Sequence, residues 1–60
     1  MKPKILIVDD EVDLEGLLLQ KFRKKLQKDE ITLIFAHNGR EALQKIEENP
    51  DLDIVITDIN

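Results

Sequence analysis

Ile5-Leu6-Ile7-Val8 is an unbroken aliphatic run, mostly β-branched, and it stops at Asp9-Asp10. A run with no polar alternation has no wet face. As a strand it has to be covered on both sides, which is the situation of a parallel sheet flanked by helices. In a chain of 60 residues with no cysteine that demand is severe. So short a chain buries only about 60% of the surface its unfolded form exposes. Disulfides are excluded, and with His37 as the single histidine a structural zinc site is a poor reading. Association with another chain is the remaining ordinary source of stability. The lack of cysteine also fits a reducing compartment.

Past the acid pair the period changes. Leu14, Leu18 and Phe22 repeat at i, i+4 and i+8, with Leu19 and Leu26 beside them. That spacing predicts one amphipathic helix from about Glu11, with Lys21, Lys24 and Lys28 on its wet side. Glu11, Asp13 and Glu15 crowd its first turns and the basic residues its last, as the helix dipole favours. Ile31 to Ala36 reads as a second strand. Asn38-Gly39-Arg40-Glu41 is a helix start, with Asn38 as cap and Glu41 in the capping-box position. Ala42, Leu43 and Ile46 supply a short apolar stripe, and Asn49-Pro50 ends the helix. Leu52 to Thr57 is a third strand that ends at Asp58. Strands alternating with helices at these spacings predict an α/β unit, β-α-β-α-β, parallel, with right-handed crossovers and no linker within residues 1–60.

Nine basic against thirteen acidic residues give a formal charge of −4, which argues against a nucleic-acid surface. The lysines between Lys21 and Lys28 read as a solvated helix face. Met1-Lys2-Pro3-Lys4 leads into four apolar residues only, so no signal peptide is expected, and no window approaches the ~20 apolar residues of a membrane span. The expected setting is the cytoplasm, with neither nucleic acid nor membrane as partner.

The chemistry sits in the acids. Ligand sites of open α/β sheets lie at the carboxyl ends of strands, where the strand order reverses. If the second and third strands flank the first, in order 2-1-3, then Asp9, Asp10 and Asp58 converge. Crowded carboxylates demand a cation or a raised pKa. All-oxygen ligation with room for water suits Mg²⁺, and a metal beside a carboxylate prepares it for phosphoryl transfer. One Asp after a strand is by itself more often a cap or turn residue. The pair and the third acid, supplied by two separate strands to one sheet edge, outweigh that reading. Asp13, Asp51 and Asp53 read as surface or loop charges, His37 as an exposed loop residue and Gly39 as a turn residue.

Three motifs in register, Ile5-Leu6-Ile7-Val8-Asp9-Asp10-Glu11, Asn38-Gly39-x-Glu41-Ala42-Leu43 and Asp53-Ile54-Val55-Ile56-Thr57-Asp58, resemble the receiver domains of two-component response regulators over the whole chain. The resemblance implies a flavodoxin-like fold and a phosphoprotein role in signal transduction, the chain being the recipient in the transfer and not an enzyme. It implies Asp58 as the acceptor of a phosphoryl group from a histidine kinase. It places Mg²⁺ on Asp9 and Asp10, with Asp58 and the backbone carbonyl of Asn60 as further contacts. Receiver domains have five strands. Here the sequence reaches three, without the family's Ser or Thr after the fourth strand, its Lys after the fifth, or the usual Pro after the acceptor. The chain is thus expected to be the N-terminal half of a receiver, impaired in signalling.

A half of this kind leaves the third strand as an open apolar edge, 53–58, with no proline or lysine to block pairing. A two-fold contact through that edge is antiparallel at its centre, strand order 2-1-3-3′-1′-2′. The alternative reading is therefore a non-catalytic, self-associating half-domain, a homodimer through the third strand. A phosphatase of the haloacid-dehalogenase type lacks its second acid here and leaves Asp9-Asp10 unexplained. Nucleotide-binding folds fail for want of G-x-G-x-x-G or a Walker lysine.

Overall fold

The computed structural model describes residues 2–57. Strands β1 (Lys4–Val8), β2 (Thr32–Ala36) and β3 (Ile54–Thr57) form one parallel sheet in the order β2-β1-β3. Helices α1 (Val12–Lys21) and α2 (Arg23–Gln27) connect β1 to β2, and α3 (Gly39–Glu48) connects β2 to β3. The molecule is a small α/β unit with the expected 2-1-3 order. Since the first crossover leaves β1 on one side and the second returns past it, right-handed connections put α1 and α3 on opposite faces of the sheet.

The core forms where coverage is complete. Register sets Leu6 beside Ile34 and Val55, and Ile7 beside Phe35 and Ile56. Leu6 is fully buried against Ala36 and Ala42, with Val8, Ile34 and Leu52 packed around them. Ile7 points to the opposite face and is only 3% exposed. The central strand is thus covered on both sides, as its unbroken apolar run requires. β3 is different. It is exposed along its whole length, and Ile54, Val55 and Ile56 stay 40–47% exposed, because β3 is an edge strand that none of the three helices covers.

The predicted stripe Leu14, Leu18, Phe22, Leu26 is the half-buried side of α1 and α2, and Leu19 lies outside it, exposed. One continuous helix was expected, and two are found. Phe22 (φ −98°, ψ 16°) interrupts the regular geometry, although its N–H still donates to the Leu18 carbonyl at 3.0 Å and its carbonyl accepts from the Leu26 N–H at 2.9 Å. Lys21, Arg23, Lys24, Lys25 and Lys28 place like charges three and four residues apart around this point, which loosens the turn. The pair ends on Asp29, whose φ of 58° is left-handed. Asp29 N–H donates to Leu26 O and Glu30 N–H to Lys25 O at 2.8 Å, the paired bonds of a Schellman ending.

α3 starts as its sequence predicts, with one change. The Asn38 side chain accepts from the Glu41 N–H at 2.9 Å, but Glu41 reaches back one residue further than a capping box does, to the N–H of His37 at 3.2 Å. The apolar stripe is narrower than expected. Ala42 is buried, while Leu43 and Ile46 are exposed; Ala42 is the residue of α3 that packs on the core with Leu6 and Ala36. Beyond α3, Lys4 gathers the start of the sheet. Its N–H donates to Asp53 Oδ2 at 2.8 Å and its carbonyl accepts from the Asp53 N–H at 2.9 Å. Its ammonium donates to Asn49 Oδ1 at 3.2 Å and to Asp51 Oδ1 at 3.0 Å. The hydrogen bond from Lys4 holds the Asp51 carboxyl below its ordinary pKa.

Candidate functional site

The carboxyl ends of the strands carry the site. Asp9 continues the ladder one residue past β1, its N–H donating to the Ala36 carbonyl at 3.0 Å. Its Oδ1 accepts from the Glu11 N–H at 2.7 Å, a two-residue reach that shapes the turn into α1. Its Oδ2 is buried and has no hydrogen-bond partner among the described residues. A carboxylate oxygen withdrawn from water without a donor is costly, and a hard cation is one group that would offset the cost. Asp10 follows and is exposed.

Asp9 and Asp10 are therefore brought to one strand tip. Val8, which precedes Asp9, is the register partner of Thr57, the residue that precedes Asp58. Asp58 and Asn60 themselves lie outside the described residues. Among the described residues no three of the His, Asp and Glu side chains form a group able to hold a metal ion. The donor chemistry of Asp9 and Asp10, two acids with one unpartnered buried oxygen, fits an oxygen-ligated divalent cation.

A second cluster lies at the end of β2. His37 Nε2 sits 3.1 Å from Glu15 Oε2 of α1, and its Nδ1 sits 3.3 Å from Glu41 Oε1 of α3. The hydrogen bond with Glu15 holds the His37 imidazole above its ordinary pKa; dehydration opposes this, and the charges of Glu41 and Glu15 add to it. Sequence reasoning left His37 as a loop residue and Glu15 as a helix-dipole charge. Twenty-two positions separate them, and no local spacing signals the pair. Only the β2-β1 adjacency, with α1 packed back beside it, joins them.

No protein-family model, curated protein or solved structure matches the chain.

Proposed function

We propose that the chain is a phospho-accepting segment of receiver type, in which Asp58 takes a phosphoryl group from the phosphohistidine of a histidine kinase. What carries the reading is the buried Oδ2 of Asp9 at the tip of the central strand, which has no hydrogen-bond partner among the described residues, with Asp10 beside it. Its support is the 2-1-3 order, which makes β1 and β3 neighbours as a flavodoxin-like half-sheet requires. In the transfer a carboxylate oxygen of Asp58 attacks phosphorus, the P–N bond breaks, and the departing imidazole nitrogen takes up a proton. Asp9 and Asp10 are the residues that would hold Mg²⁺, which when bound offsets the charge of the phosphoryl oxygens. Asp9 is held at the strand tip by its bonds to Ala36 and Glu11, which supports the reading.

The experiment is treatment of the chain with acetyl phosphate, with and without Mg²⁺, followed by intact mass measurement. The expected result is a Mg²⁺-dependent, hydroxylamine-labile phosphoryl adduct on the wild type and none on Asp58→Asn. An unmodified wild type, or an equal adduct on Asp58→Asn, overturns the reading.

A second reading is favoured by the exposure of every residue of β3. In it the sheet is completed by a second copy, pairing β3 with β3′ antiparallel and turning the two acid pairs to opposite ends of a six-stranded sheet. Light scattering at tens of micromolar gives twice the chain mass under this reading, and the chain mass alone refutes it.

A further inference from the structure

We propose that His37 is a pH-operated clamp, which as an imidazolium ties α1 to the start of α3 and as a neutral imidazole holds only one of the two. The geometry carries the argument. Both ring nitrogens lie close to carboxylate oxygens: Nε2 is in hydrogen-bond contact with Glu15 at 3.1 Å, and Nδ1 is at ion-pair distance, 3.3 Å, from Glu41. A neutral imidazole has one N–H and one lone pair. With one nitrogen donating, the other turns its lone pair on an anionic oxygen. The doubly protonated ring is the single form that satisfies both contacts.

Glu41 is fixed in place independently. Its Oε1 also accepts the backbone N–H of His37 at 3.2 Å, and its Oε2 accepts from Asn38 Nδ2 at 3.4 Å. Glu15 is the partner free to move, because α1 has no fully buried residue and its attachment to the sheet is correspondingly weak. The charges that act on His37 are Glu15 from α1 and Glu41 from α3. The positive N-terminal end of α3 opposes a cation at this position, and the two carboxylates in direct contact outweigh it.

The direction of the pH effect follows. The ring titrates higher in the folded chain than in the unfolded one. The clamp therefore contributes in full below the unfolded value of about 6.5, and its contribution is lost as pH rises through the folded midpoint. This is the range in which histidine is the natural switch.

The test is a pH series on the whole chain, reading the His37 ring by NMR and the α1 amides by hydrogen exchange corrected for the intrinsic rate. A ring midpoint above 6.5 is expected in the wild type, shifted down in both Glu15→Gln and Glu41→Gln. Exchange in α1, and not in β1, should quicken about two- to fivefold through the midpoint, the range set by exposed ion pairs. In His37→Gln that step should be absent. If that variant does not fold, the step should be absent in Glu15→Gln instead. A midpoint at or below 6.5, a midpoint unmoved by Glu15→Gln, or α1 exchange equal on both sides of the midpoint overturns the proposal.

Discussion

Among the described residues Leu6 is the one large side chain removed entirely from water, and it has little to share its duty with. Truncating a buried leucine to alanine costs about 2–5 kcal/mol. A 60-residue chain has about 3–9 kcal/mol in all at the usual per-residue stability. Leu6→Ala should therefore abolish most of the cooperative urea transition followed by far-UV circular dichroism, whereas Leu43→Ala, at a site 65% exposed, should move the midpoint little. Residue by residue, the sequence exposed the acids and the apolar runs well and the polar partners poorly. Asp51 and Asp53 read as surface charges, yet both bind Lys4, 47 and 49 positions away. Glu15 and His37 were hidden in the same way. Composition and periodicity see neighbours along the chain, and these bonds join residues that only the sheet brings together.

Elements with local causes are the ones the sequence makes legible. The end of α3 follows from Asn49-Pro50, and its start from Asn38, whose side chain takes the Glu41 N–H. Replacing such a cap by alanine costs about 1 kcal/mol. Asn38→Ala should therefore lower the unfolding free energy by that amount in urea titration, and it should also fray the first turn, where Glu41 holds His37. A variant as stable as the wild type would mean the cap bond is not formed in solution. The break at Phe22 was not legible, for it involves neither proline nor glycine and reflects charge crowding around an otherwise continuous hydrogen-bond pattern. The exposure of Leu43 and Ile46 was missed because a stripe of three apolar residues is compatible with more than one rotation of the helix, and packing of Ala42 on Leu6 and Ala36 selects one.

For the molecule as a whole, the parallel sense was readable from the alternation of strands and helices, whereas the 2-1-3 order entered only as a condition, since alternation alone does not say on which side of β1 the third strand lies. The chain presents 4619 Å² to solvent, against about 4000 Å² for a compact monomer of its 7.0 kDa. The surplus is of the order of one partner's share in an ordinary interface, roughly 800 Å², and suits a unit with one open side. If β3 pairs with a second copy, a lysine on that edge should block it. Val55→Lys is then expected to yield the single-chain mass by sedimentation while its circular dichroism stays that of the folded sheet. An unchanged mass relative to a dimeric wild type would exclude pairing through β3. The β2-β1-β3 order also has a consequence for a nascent chain on the ribosome. The central strand is made before both neighbours, and β3 is made after β2, so Ile5-Leu6-Ile7-Val8 lacks its β3 flank while the stretch from Ala36 to Thr57 is synthesised, on the order of seconds. During that interval an uncharged, β-prone window is left open, and holdase chaperones are expected to engage it on the ribosome.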